Sequence, residues 1–404
     1  MHSKMQSTAM EEGRTSRETR SRPPWLARIP VTSVGVIPGL AAQSLLFKYL
    51  ASLPWVHISD TIHVVLWFIS LVVSSVAAIL YAFKALRYPR ICSWELHHPL
   101  RHNDFFLFLI GAFLMTLAYP ESFLGHANFE IPFCILTILH LIGCLFVYGG
   151  WMSSMQKPKL GISYRDAEPS YLFTLVPWFL SSSLGALIGW LEVATFLFYV
   201  GSFYWIVMYV SLWQNFSMAR EHLETSGAVP QVFLTVAPSA IASLAWVNVS
   251  RITLSDMPSG TTDHLGHIGR FFLFNSLAAG VLIVPSLWRA YLRTIPQKSY
   301  LPWWAATFPT AAVAMATSEY SKVVNTPTVH VLVWICCGIA WGTFLFVLVW
   351  NLHGVFTWRA WKDPLLEKEH IWERMESTDT VMEEVRCDLG EDRAESNRRT
   401  TTFA

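Results

Sequence analysis

Phe308 stands directly before Pro309 in a run of small and apolar residues, Ala305-Ala306-Thr307-Phe308-Pro309-Thr310-Ala311. A proline inside a helix lacks a donor, frees the carbonyl one turn earlier and bends the chain there. A phenyl ring at such a bend has two readings. Either it packs a helix interface, or it faces the axis of a water-filled path and blocks it by steric exclusion and dewetting. Spacing alone leaves both open. Hydroxyls gather near the prolines: Thr235 and Ser239 around Pro238, Thr307 and Thr310 around Pro309, and Ser181 to Ser183 after Pro177. Such groups can stabilise a passing anion weakly enough to let it leave, without a fixed full charge. Taken singly, each is as readily a hydroxyl that packs one membrane helix on another.

Other chemistries find no foothold. The sequence has no phosphate loop, nucleophile elbow or nucleophile–base pair, so we expect neither an enzyme nor a catalytic residue. The densest histidines, His97, His98 and His102, stand beside Arg101, with Glu95 and Asp104 as the nearest acids; a helix-entrance cap fits them better than a zinc site. The six cysteines lack metal spacing, and adjacent Cys336 and Cys337 would form a strained disulfide. No metal or cofactor is expected. Glu192 in a short turn and Glu319, followed by Lys322, are the few acids close to apolar runs. The middle of those runs carries none, whereas a proton-coupled carrier usually needs such a relay.

The elements that position these residues follow from composition. Of 404 residues, 14% are charged, against roughly a quarter in a soluble domain. Bilayer solvent excludes charge in this way, and a net charge of +1 gives no field for nucleic acid. With about 20 apolar residues needed to span the hydrocarbon core, ten segments stand out: 33–52, 61–83, 104–119, 131–151, 170–190, 193–213, 230–249, 271–291, 301–321 and 329–352. The third and ninth are the weakest. Even segments are smoothly apolar. Odd ones carry Gly35, Pro38 and Gly39; Pro177, Ser181 and Gly185; Pro238 and Ser239; Pro309 and Thr310. Irregular backbone at membrane depth is tolerated where it packs in protein or lines water. The expected fold is therefore an all-α membrane protein of ten transmembrane helices in five helix-pair repeats, with odd helices inside and even ones outside.

Lys and Arg set the orientation. With a cytoplasmic N-terminus, the inner side holds Arg14 to Arg28, Lys84, Arg87, Arg90, Arg101, Lys157, Lys159, Arg165, Arg220, Arg289, Arg293, Lys298 and Arg359. The outer side keeps Arg251, Arg270 and Lys322, with Lys48 near the outer end of the first segment. The expected organisation is a polar cytoplasmic tail over 1–32, a membrane domain over 33–357 and a charged cytoplasmic tail over 358–404. Ser377, Thr378 and Thr380 in the latter are candidate phosphorylation sites.

Five stretches carry a resemblance: Gly35-x-x-x-Gly39-Leu40-x-x-Gln43; His98-Pro99-x-Arg101-x-Asn103-x-Phe105-Phe106; Tyr148-Gly149-x-Trp151-Met152-Ser153; Ala237-Pro238-Ser239-x-x-x-Ser243-x-Ala245-Trp246; and Trp303-Trp304-x-x-Thr307-Phe308-Pro309. In this order and spacing the chain resembles the slow-type anion channels of plant guard cells and their bacterial relatives in the tellurite-resistance/dicarboxylate-transporter (TehA-like) family. The resemblance implies a pore within each subunit, formed by five odd helices inside a ring of even ones, and a homotrimer. It implies that Phe308 is the gate, and that Pro38, Pro177, Pro238 and Pro309 bend pore-lining helices. Gly39, Ser181, Ser239 and Thr307 are the further pore-lining positions. Phe108 stands where the family has a proline, so the third helix is either straighter or offers the pore a second ring. The family's kinase-targeted N-terminal domain is much reduced.

The leading expectation is a gated channel in the plasma membrane, passing chloride, nitrate or similar anions. Its partners would be those anions, the bilayer, two further copies of the chain and a regulatory kinase. The other reading is a secondary carrier or exporter of malate, other C4-dicarboxylates or sulfite.

Overall fold

The computed structural model describes residues 24–98, 101–125, 128–153, 169–226, 229–253, 263–286 and 301–357. Among them every regular element is helical. Ten long helices lie within the compact unit Val31–Ala360: α1 (Val36–Ala51), α2 (Asp60–Arg87), α3 (Phe106–Leu117), α4 (Glu130–Ser153), α5 (Val176–Leu187), α6 (Leu191–Ser226), α7 (Ala237–Thr253), α8 (Gly266–Ser286), α9 (Trp304–Val323) and α10 (Pro327–Phe356). Outside that unit, Trp25–Arg28 form one 3-10 turn. Seven of the ten, counted with their lead-in turns, are each long and apolar enough to cross a bilayer; an eighth span arises if the helix Pro89–His97 and the segment His102–Leu117, bent by 110°, are taken together. The proposed tails, including Ser377, Thr378 and Thr380, lie outside the described residues apart from 24–32, as do 287–291 of the eighth expected segment.

Odd and even helices differ as solvent dictates. In the spans containing α1, α5 and α7, 72, 94 and 89% of the apolar window is buried; in those of α2, α4, α6 and α10 the shares are 17, 28, 33 and 28%. Even helices turn rows such as Ile131, Ile135, Ile138, Ile142 and Leu145 outward, the stripe an α-helix presents to one side. Each odd helix packs against the next, α1 on α3, α3 on α5, α5 on α7, α7 on α9, and α9 back on α1. Each even helix packs on the odd helix before it. The result is a closed ring of five odd helices with the even ones around it.

Side chains join the carboxyl ends of neighbouring odd helices, so the five run parallel. Lys48 of α1 reaches the end of α3, Lys322 of α9 donates to Ser52 after α1 at 2.9 Å, Arg251 of α7 pairs with Glu319 of α9, and Asn248 of α7 bonds Ser183 of α5. Close packing needs glycine at one crossing: a Cβ on Gly39 would lie 2.6 Å from Thr307 Oγ1 and 2.9 Å from the Trp304 ring.

The odd helices are also shorter than their apolar segments. Each starts with a 3-10 segment: Val31–Gly35, His102–Phe105, Pro169–Thr174, Val229–Val236 and Leu301–Trp303. Helix α3 keeps only 12 α-helical residues, about 18 Å, which leaves its last carbonyls inside the protein without helical donors. Neighbours supply them. Lys48 Nζ donates to Leu117 O and Tyr119 O at 3.0 Å each, His63 Nε2 to Ala118 O at 2.7 Å and Trp67 Nε1 to Met115 O at 2.9 Å. A cation also suits the negative end of the helix dipole. Lys48→Met is expected to cost about 2 kcal/mol, read as a drop of about 5 °C in melting temperature in detergent. An unchanged melting temperature would show that the cap contributes nothing.

The opposite end of the ring holds a buried charge cluster that the sequence reading placed among loop charges. Glu95, on the helix Pro89–His97, is 0% exposed. Its carboxylate accepts from Lys84 Nζ at 2.7 Å, Tyr81 Oη at 2.8 Å, Arg101 Nη1 at 3.1 Å and Val31 N at 3.2 Å. It thereby ties the end of α2, the approach to α3 and the start of the α1 lead-in together.

Candidate functional site

Within the ring the helix register decides which side chains face inward. On α9, Thr317 Oγ1 lies 3.8 Å from Cys336 Sγ of α10, which marks the outward side. Phe308 is nine residues away, about two and a half turns, and so projects from the opposite side. It is 2% exposed, and Ala311, Ala312 and Met315 share its buried face. Pro309 is inside the helix, as the sequence predicts.

The other prolines lie inside their spans, where a 3-10 lead-in runs without a break into α-helix. Pro177 and Pro238 are second residues of α5 and α7, and Pro38 is the third of α1. These three mark where 3-10 backbone becomes α-helix.

Four of the expected hydroxyls lie within hydrogen-bond reach of carbonyls one turn earlier. Ser239 donates to Val236 O, Thr235 to Val232 O, Thr307 to Trp304 O and Thr310 to Ala306 O. A hydroxyl carries one proton, so such a group serves an anion only by rotating away from its carbonyl. Ser181 is different: its buried Oγ has no hydrogen-bond partner among the described residues. Gln43 of α1, 2% exposed, likewise leaves both amide atoms unmatched there. Buried polar atoms are nearly always paired, so these two are open donors on the odd helices, as is Trp178 Nε1 of α5. Gln43 belonged to a motif but not to the expected site. The Phe108 ring lies 5.5 Å from that of Tyr81 of α2, tilted by 59°, which places it at a helix–helix contact. Of the motif Trp151-Met152-Ser153, the side chains lie outside the described residues.

Charge is confined to the carboxyl ends of the odd helices. Lys48, Arg251, Glu319 and Lys322 occupy the last turns of α1, α7 and α9, and no acid lies deeper in any odd helix. Glu192 is exposed in the first turn of α6. Among the described residues no group of three His, Cys, Asp or Glu side chains is placed to hold a metal ion.

A closed ring of five parallel helices, sheathed by five apolar ones and with its charged clusters at the two ends, defines an α-helical membrane protein of repeated helix pairs. Residues 28–352 match the family described as SLAC1, voltage-dependent anion channel, and the chain belongs to that family. It is 32% identical over 333 residues to S-type anion channel SLAH2 of Arabidopsis thaliana, covering 80% of this chain and 59% of that protein. The identity is 29% over 345 residues to S-type anion channel SLAH3 of the same plant, covering 83% and 50%. To its guard cell S-type anion channel SLAC1 it is 28% over 306 residues, covering 74% and 51%. The chain thus spans between half and three-fifths of the length of these relatives.

Proposed function

We propose that this chain is a gated anion channel, passing chloride, nitrate or similar small anions through the ring of α1, α3, α5, α7 and α9 and closed by Phe308. The observation that carries the reading is the closed ring whose acids, Asp104 and Glu319, stand only near its two ends, with Phe308 beside the proline inside α9 and, by helix register, opposite the α10 contact. Relatives named as S-type anion channels support it. Parallel odd helices add a second argument, since their dipoles place positive potential at the amino-terminal end of the ring. Gln43 Nε2 and Ser181 Oγ are the donors we assign to the passing ion; Phe108 belongs to helix packing.

The positive-inside bias puts the Glu95 end of the ring and both termini in the cytoplasm and the Glu319 end outside, in the plasma membrane. Residues 1–32 and 358–404 are then cytoplasmic tails, and phosphorylation of the latter is a route to regulation. Three copies would cover part of the apolar rows on the even helices.

The test is anion substitution in oocytes expressing Phe308→Ala, with external chloride replaced by nitrate, malate or gluconate. Reversal potentials should follow the permeant anion. Electroneutral, saturable flux driven by a proton gradient, with no such current, would instead identify a carrier of organic anions.

A further inference from the structure

The carboxyl end of the ring carries a charged cluster that closure at Phe308 does not use. Glu319 of α9 has a side chain 4% exposed, and each of its oxygens accepts one bond of 2.7 Å, Oε2 from Arg251 Nη2 of α7 and Oε1 from Lys322 Nζ. Around them stand Asn248 Oδ1, 3.4 Å from Arg251 Nη1, and Ser52 Oγ, 2.9 Å from Lys322 Nζ. Lys322 Nζ also lies 5.8 Å from the centre of the Tyr49 ring of α1. Two cations thus share one carboxylate where α1, α7 and α9 meet. The cations are reachable from solvent, with Arg251 41% and Lys322 26% exposed, while the carboxylate between them is covered.

We propose that Arg251 and Lys322 form an outer binding site for the permeating monovalent anion, and that the Glu319 carboxylate is its built-in occupant, displaced as an anion enters. This rests on the reading of the ring as the anion path. A guanidinium and an ammonium held by a carboxylate offer the same charge-assisted N–H bonds to chloride or nitrate. Left bare, such a pair would hold an anion against release, and conduction needs a site that lets go. A tethered carboxylate competes at high effective concentration and so keeps the site weak. The cations also offset the negative dipole ends of five parallel helices, which otherwise repel anions at this mouth.

The experiment records current against external chloride and nitrate concentration in the Phe308→Ala background, with surface protein measured for every variant. Adding Glu319→Gln is expected to lower the half-saturating concentration about fivefold, the influence of one unit charge a few ångströms away in a water-rich mouth. Adding Lys322→Gln is expected to raise it by a similar factor. Shifts of opposite sign cannot both come from a loss of folded protein. If Phe308→Ala conducts and neither addition moves the half-saturating concentration, or both move it the same way, the site is overturned while the channel stands. Should Phe308→Ala at the surface carry no anion current, the channel reading falls and this site with it.

Discussion

Phe308→Ala is expected to raise anion conductance by at least about thirtyfold, measured by two-electrode voltage clamp at matched surface density. A barrier lowered by ~1.4 kcal/mol is about tenfold in rate. Taking a phenyl ring out of a dewetted constriction should remove ~2 kcal/mol or more, because water can then enter with the ion. The competing role forecasts the reverse. A phenylalanine packed by protein on every side costs about 3–5 kcal/mol when cut to alanine, which would appear as less protein at the surface and no gain in current. The structure favours the first outcome through register: Phe308 is 2% exposed yet projects opposite the α10 contact at Thr317, among Ala311 and Ala312. Small neighbours leave room for an ion once the ring is gone. Phe308→Leu, keeping part of the block, should fall between wild type and alanine. An unchanged conductance in Phe308→Ala at full surface density would remove Phe308 as the gate.

Most of the membrane architecture was legible in the sequence, because bilayer solvent acts on composition over about 20 residues at a time. The runs 61–83 and 329–352 became Asp60–Arg87 and Pro327–Phe356. The alternation of small, proline-bearing odd segments with smooth even ones mapped onto inner and outer helices, since only the inner ones tolerate broken backbone. What hydropathy does not encode is which bond a polar group makes. Thr307 and Ser239 stand beside prolines, and the carbonyls within their reach, Trp304 O and Val236 O, are known only from the structure. Nor does hydropathy encode the 3-10 lead-ins, so the place of Pro38, Pro177 and Pro238 at the passage from 3-10 to α-helix appears only in the structure. The salt bridge from Arg251 to Glu319 crosses 68 positions of sequence, so each partner was noted as an outer or embedded charge and the pairing was not. Glu95, Lys84 and Arg101 were missed for the same reason. In a charged stretch between apolar runs, solvated loop is the ordinary reading, and burial appears only when the helices close over it.

That cluster supplies the largest stability effect we expect. Glu95→Ala should destabilise the folded protein by about 3–5 kcal/mol, the usual cost of removing one member of a buried ion pair. It should lower the melting temperature in detergent by about 10 °C. The magnitude follows from what the carboxylate serves. It is 0% exposed and takes four bonds, from Lys84, Arg101, Tyr81 and the Val31 amide, so its loss strips two sequestered cations of their shared counter-charge. Glu95→Gln keeps the shape and part of the hydrogen bonding, and should fall between wild type and alanine. The same reasoning forecasts a coupling. Lys84→Met in the Glu95→Ala background should cost less than Lys84→Met alone, because the cation and carboxylate are no longer being separated. Neutral replacement of whole buried ion pairs is often tolerated where truncation of one member is not. If Glu95→Ala melts within about 2 °C of wild type, the cluster does not hold the helix ends together. Currents give an independent reading, since a part that fastens α1, α2 and α3 at one end of the ring should lower current in proportion to surface protein and leave the reversal potential where it was.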